Sequence, residues 1–229
     1  MSNTNLIKLV SGSTQLPLFR NLDSLTTQNA LFDCRILSSK KREMLFEQGE
    51  LADYFFIVKS GLYKLVKNVN SDCSIVHDII TPNEMVGSLL MNTPGIKYPV
   101  SLQCILSGEV VAIPRSTYES VWKNNPQLLH LMQLQTQKRI LSIQELRNSS
   151  KFVLEKRMAY VLKHYLAKLA TPNSSVLALT ITRSDIADLV SSTVESVIRV
   201  FTKWSSLHII ENVQKKELIH LDKLENYYL

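Results

Sequence analysis

Residues 180–204 read TITRSDIADLVSSTVESVIRVFTKW, and their spacing predicts two short helices joined by a tight turn. The first would open at Thr182, whose hydroxyl can accept from an orphan backbone amide, and Asp185 three residues on completes a capping-box spacing. Ile186, Leu189 and Val190 then fall on one face. Ser191 and Ser192 break the pattern, and Thr193 can cap a second helix whose apolar positions are Val197, Val200, Phe201 and Trp204. The opposite face carries Glu195, Ser196, Arg199 and Lys203. Such a helix is anchored along one stripe. Its exposed turns offer a carboxylate that can accept from cytosine N4 and a guanidinium that can grip guanine O6 and N7 in a major groove. An ordinary helical hairpin with a solvated charged face has the same spacing.

On either side of this stretch the pattern stays consistent with a small helical unit. ALTI (178–181) reads as a strand leading in, and HIIENV (208–213) and ELIHL (217–221) read as a two-stranded wing with a polar tip that includes Lys215 and Lys216. LEKRMAYVLKHYLAKLA (154–170) reads as an amphipathic helix broken by the Thr171–Ser175 turn. Before it, Pro126 starts a long helix with apolar residues at 128, 131, 132, 134, 140, 141, 143 and 146. That stripe must be buried on something, either a second copy of the chain or the chain's own N-terminal half. Ser149, Ser150 and Lys151 mark a hinge.

The N-terminal half changes period. EMLFEQGE, DYFFIVKSG, LYKLVKN, SIVHDII, YPVSLQC and EVVAIP are short β-branched or aromatic runs punctuated by Gly49, Gly61 and an Asn70–Asp72 turn. Strands this short cannot stand singly and must curl into a roll around an apolar interior. Leu16 to Leu31 reads as one or two short helices, and Ser116 to Asn124 as another.

ITRSDIADLVSSTVESVIRVFTKW followed by HIIENVQKKELIHL resembles the winged helix-turn-helix of the Crp/Fnr superfamily of bacterial transcription regulators. FEQGELADYFFIVKSGLYKLV, with the segment Pro82 to Gly87, resembles the cyclic-nucleotide-binding β-roll of the same proteins, and LPLFRNL resembles their lead-in helix. The resemblance spans residues 16 to 221. It implies an α+β fold in three parts: a double-stranded β-roll over 1–125, a dimerisation helix and hinge over 126–150, and a winged helix-turn-helix over 151–229.

The resemblance also implies that Glu195 and Arg199 read base pairs, that Arg183 meets a phosphate, and that Val194 and Ser196 border the DNA. Thr193, Lys203, Lys215 and Lys216 complete the expected contact set. The implied partners are double-stranded DNA, a second copy of the chain and RNA polymerase, with a small-molecule effector for the roll. Two-fold symmetry would set two recognition helices about 34 Å apart. One departure is Ser191, where the family commonly has a turn glycine.

The effector segment departs further. In VGSLLMNTPGIKYPVSLQC (86–104), Gly87 is kept, but Ser88 replaces a glutamate and Tyr98-Pro99 replaces the arginine and serine of the family's cyclic-nucleotide binders. Without that arginine a phosphate loses its bidentate counter-charge, which Lys97 replaces only as a flexible point charge. The sequence therefore argues against a conventional cyclic AMP site, leaving Gly87, Ser88, Leu89, Lys97, Tyr98 and Ser142 as candidate pocket residues for an unidentified effector. Cys34, Cys73 and Cys104 are too few and too scattered to ligate an iron-sulfur cluster, and they form no disulfide or zinc pattern.

At 229 residues the chain can hold two cored domains. Its net charge of +6 and isoelectric point near 9.2 favour an anionic partner. From residue 151 onward there are 11 Lys and Arg against 8 Asp and Glu, so a DNA footprint must come from placement more than from bulk charge. No signal-peptide pattern or long apolar run is present, which points to a cytoplasmic protein away from membranes. No phosphate loop or nucleophile elbow points to an enzyme. The reading that follows is a DNA-binding transcription regulator. The alternative is a ligand-binding or protein-interaction module whose helix-turn-helix no longer reads DNA.

Overall fold

The computed structural model describes residues 16–70, 73–149, 151–166, 175–214 and 216–228. The chain groups into two compact units, one of residues up to 67 with 80–139, the other of 68–79 with 140–229.

In the first unit a 3-10 turn (Pro17–Phe19) and helix α1 (Ser24–Ala30) precede the strands. The Asp23 carboxylate caps α1, accepting from the Thr26 hydroxyl at 2.6 Å and the Thr26 amide at 2.8 Å, and these two bonds hold its pKa below the ordinary value. Among the described residues eight strands follow, most of β5 and the end of β4 lying in the second unit: β1 (Arg35–Ser39), β2 (Met44–Phe46), β3 (Tyr54–Val58), β4 (Leu62–Asn70), β5 (Cys73–Ile80), β6 (Met85–Val86), β7 (Ser101–Leu106) and β8 (Gly108–Pro114). They form two four-stranded sheets in the orders β1-β8-β3-β6 and β2-β7-β4-β5.

The apolar runs lie where the sheets need them. Phe55–Val58 and Val110–Ile113 are buried residue after residue, as expected for central strands covered on both faces. Gly61 sits in the left-handed region at φ +87°, where a Cβ would lie 2.6 Å from the Leu106 carbonyl oxygen, so only glycine fits this turn. Helix α2 (Arg115–Ser120) and a 3-10 turn (Trp122–Asn124) close the roll. Trp122 is wholly buried, packs edge-on to Phe55 at 4.9 Å, and donates its indole N–H to the Ala30 carbonyl at 2.9 Å. One aromatic therefore ties the lead-in helix, the sheet and the closing turn together.

Helix α3 runs Pro126–Ser149. In the second unit, helices α4 (Leu154–Leu166), α5 (Arg183–Leu189), α6 (Val194–Ser206) and α7 (Leu221–Tyr228) surround strands β9 (Val176–Ala178), β10 (Ile210–Val213) and β11 (Lys216–His220). Their shared core includes Met158, Leu162, Ile186, Val197, Phe201, Trp204 and Ile219. Most of β5 belongs to this unit: the Tyr165 hydroxyl donates to the Asp78 carboxylate at 2.7 Å and the Val76 amide to the Asp188 carboxylate at 3.2 Å.

The α+β arrangement expected from the sequence is the one observed, with three differences of detail. The wing sheet has three strands in the order β10-β11-β9, because β11 uses its second edge to pair with Val176–Ala178. The lead-in strand is therefore displaced from ALTI, of which only Ala178 belongs to it. Strands β1 and β6 were not expected, since RILSS has no clear alternation and Met85–Val86 is only two residues long. Both exist because β8 and β3 offer free edges to them. The amphipathic run past Leu166 and the Thr171–Ser174 part of its break lie outside the described residues.

Candidate nucleic-acid interface

The helix-turn-helix is built by its caps. Thr182 accepts from the Asp185 amide at 3.1 Å, while the Asp185 carboxylate accepts from the Thr182 amide at 3.1 Å, closing the reciprocal capping box that starts α5. Ile186 and Ala187 are buried, and Val190 ends the helix. Ser191 then takes φ +51°, the left-handed conformation a turn glycine would supply without strain. The Ser192 amide still reaches the Ala187 carbonyl at 2.9 Å, so the turn closes despite the missing glycine.

Thr193 caps α6 by accepting from the Ser196 amide at 3.3 Å, and its hydroxyl donates to the Ser196 hydroxyl at 3.0 Å. The Thr193 and Ser196 side chains are thereby spent partly on starting the helix. Val197, Val200, Phe201 and Trp204 form the buried stripe. Outward stand Val194, Glu195, Ile198, Arg199, Thr202 and Lys203.

The charged groups on and around α6 divide into two kinds. Arg183 forks onto Glu217 of β11, one N–H to oxygen distance being 2.7 Å, and its guanidinium lies 3.6 Å from the Phe201 ring centroid. Lys203 donates to both oxygens of Glu155 at 2.8 Å. Glu195 and Arg199, one helical turn apart, are exposed and make no hydrogen bond or ion pair with another described residue. Arg199 and Ser196 also edge a groove of about 460 Å³ that continues to Val153, Leu154 and Glu155.

In the wing, Asn212 pairs with Glu217 and Val213 with Lys216. Gln214 has φ +49° and Lys216 is exposed; Lys215 lies outside the described residues. The sequence reading overlooked the partners Glu155 and Glu217, which no local spacing links to Lys203 and Arg183. It also overlooked Ile198, an apolar residue on the polar face of an amphipathic helix.

The candidate effector residues are placed less coherently. Gly87, at φ +80°, turns the chain into the 3-10 segment Ser88–Asn92, and a methyl added to it would sit 3.5 Å from the Tyr98 ring. That ring stacks on Phe46 at 3.9 Å, and its hydroxyl donates to the Tyr54 carbonyl at 2.6 Å. Burial pushes the Tyr98 pKa up to about 12. The Tyr98 ring thus covers the glycine turn from inside the roll.

Ser88 is buried, whereas Leu89 and Lys97 face solvent. Arg115 could have offered a cation, but its guanidinium donates to the carbonyls of Ala52 at 2.7 Å and Met91 at 2.8 Å. Ser142 belongs to the other unit, where its hydroxyl shares a hydrogen bond of 2.6 Å with His164. Cys34 is partly buried, with a thiol pKa pushed up to about 12 by desolvation and by Asp33, and Cys104 is buried. Among the described residues no cluster of His, Cys, Asp and Glu is arranged to hold a metal, and no helix is long and apolar enough to cross a membrane.

Comparison with known proteins agrees with this architecture. Residues 36–125 match the family model of the cyclic nucleotide-binding domain, and residues 156–227 that of the Crp-like helix-turn-helix domain. The chain is 30% identical over 189 residues to the transcriptional activator protein Anr of Pseudomonas aeruginosa, covering 81% of this chain and 76% of that one. It is 28% identical over 213 residues to the protein of the same name from Pseudomonas protegens, covering 92% and 86%.

Among solved structures, FixK2 of Bradyrhizobium japonicum superposes with a TM-score of 0.71 at 19% identity, over 84% of this chain and 96% of that one. The regulator CLP of Xanthomonas campestris gives 0.69 at 20%, over 86% and 99%. These two likenesses speak to the fold. With a roll, a long helix and a capped, winged helix-turn-helix in that order, and with relatives matched along most of its length, the chain belongs to the Crp/Fnr family of DNA-binding transcription regulators.

Proposed function

We propose that two copies of this chain join along α3 and read a two-fold symmetric DNA site with paired α6 helices, Glu195 and Arg199 setting the base preference. The observation that carries this reading is the contrast in charge pairing. Arg183 and Lys203 are ion-paired with intramolecular carboxylates, whereas Glu195 and Arg199 project from the first turns of α6 with no hydrogen bond or ion pair to another described residue. In the major groove the carboxylate accepts from cytosine N4 and the guanidinium donates to guanine O6 and N7.

Thr193, Val194 and Ser196 border the same groove. The fork to Glu217 engages two of the five Arg183 N–H donors, leaving three for a backbone phosphate. Lys203, Lys215 and Lys216 add phosphate contacts, Lys203 by exchanging Glu155 for the DNA. Dimerisation is supported by the exposed apolar residues Leu134, Ile140, Leu141 and Ile143 along α3, which need a partner surface. The names of the relatives favour activation of transcription, hence contact with RNA polymerase in the cytoplasm. For the roll, the Tyr98 ring over the Gly87 turn favours an effector other than a conventionally bound cyclic nucleotide.

The test is selection of binding sites from random duplex DNA with the full chain, followed by titration at several salt concentrations. The reading requires a symmetric consensus with half-sites one helical turn apart and affinity that falls steeply with salt. Enrichment of no sequence, or a consensus indifferent to Glu195 and Arg199 substitution, would overturn it.

A further inference from the structure

Ile198 is the residue of α6 that the charged-group account leaves unexplained. It is 48% exposed, although the same helix buries Val197, Val200, Phe201 and Trp204. Val194, one turn earlier, is 36% exposed. The two form an apolar ridge beside the charged ridge of Glu195 and Arg199. At about 100° per residue, Ile198 lies about 60° round the helix from Glu195, on the side away from Arg199.

We propose that Ile198 is a base-reading residue that takes the C5-methyl group of a thymine, next to the base pairs reached by Glu195 and Arg199. This rests on the DNA-reading assignment made above and extends it to an uncharged contact. The chemistry follows from what the major groove offers, since the thymine methyl is the one apolar group on a base edge there. An isoleucine can neither donate nor accept, so at a base edge it discriminates only by apolar contact and by leaving polar edges unsatisfied. Its place among the first turns of α6 matters, because the N-terminal residues of such a helix approach the bases most closely. Ile198 is β-branched, and with χ1 restricted in a helix it presents a stiff surface to the methyl.

The experiment begins with the consensus selected by the full-length protein and replaces each thymine singly with deoxyuridine, which removes the methyl and keeps the pairing. For the native protein, one position per half-site should weaken binding about three- to fivefold, the size expected for one buried methyl group. Ile198→Ala should bind the unmodified site more weakly by a similar factor and be indifferent to uridine at that position, while keeping its response at every other position. Because the side chain points outward, thermal unfolding and dimer mass of the variant should match the native protein.

If the native protein selects a consensus but no uridine substitution matters, or if Ile198→Ala keeps the native uridine profile, the thymine-methyl assignment is wrong and the DNA reading stands. If the native protein selects no consensus at all, the underlying DNA reading fails as well.

Discussion

The roll and the helix-turn-helix treat their polar side chains in opposite ways. Inside the roll, the Tyr98 hydroxyl, the Arg115 guanidinium, the Tyr63 hydroxyl and the Trp122 indole each end on a partner from the same unit. On the outer face of α6, Glu195 and Arg199 end on none among the described residues. A fully satisfied polar group rigidifies its surroundings and has little left to offer a ligand. An exposed, unsatisfied pair on a firmly anchored helix costs the folded chain little and keeps its bonding capacity for a partner. The difference is what favours α6 as the proposed reading surface.

The largest test of this contrast is Trp122→Ala. Removing that side chain should lower stability by about 3 to 5 kcal/mol in a denaturant titration, through lost packing and the orphaned Ala30 carbonyl. The selected base preference of the surviving folded dimer should not change. Arg199→Ala should do the reverse, weakening binding to the selected site by about 1 to 3 kcal/mol and relaxing preference at one guanine, with thermal stability unaltered.

Tyr98→Phe removes one internal hydrogen bond and should cost about 1 kcal/mol of stability. It also carries a pH signature. The folded protein keeps the Tyr98 proton up to about pH 12, whereas the unfolded chain releases it near the ordinary value of 10.0. Between those values the folded state holds more protons, so stability falls as pH rises through this window. Urea midpoints measured over that range should fall more steeply for the native protein than for Tyr98→Phe. The smallest effect is expected from Glu217→Ala, which frees a partly exposed ion pair: about 0.5 to 1 kcal/mol of stability, measured by thermal melting at low and high salt. A larger loss of DNA affinity than of stability in that variant would show that the wing must be held by Arg183 to bind.

Some of this was readable in one dimension. Thr182 with Asp185, and Thr193 before an apolar stripe, announce helix starts because capping is local and its partners lie within three residues. The buried set Val197, Val200, Phe201 and Trp204 followed from helical period alone. The break at Ser191 and Ser192 was also readable, whereas the positive φ that Ser191 takes was expected only from the turn glycine of the resembling family. Other features left no such trace. Strand β1 has no alternation to betray it, and the third wing strand depends on β11 having a free edge. The candidate effector residues looked like one cassette in sequence, yet Ser88 and Tyr98 are buried while Leu89 and Lys97 face solvent.

By itself the sequence determined where the helices of the motif begin, which face of each is apolar, and that a carboxylate and a guanidinium stand four residues apart on the other face. These are consequences of short-range geometry, which the order of residues contains. Only the tertiary structure decided which charges remain available. Glu217 lies 34 positions from Arg183 and Glu155 lies 48 from Lys203, and folding brings each pair within hydrogen-bonding distance while leaving Glu195 and Arg199 unmatched among the described residues. Whether a side chain is spent or free depends on what the fold places beside it, and no spacing along the chain encodes that neighbour.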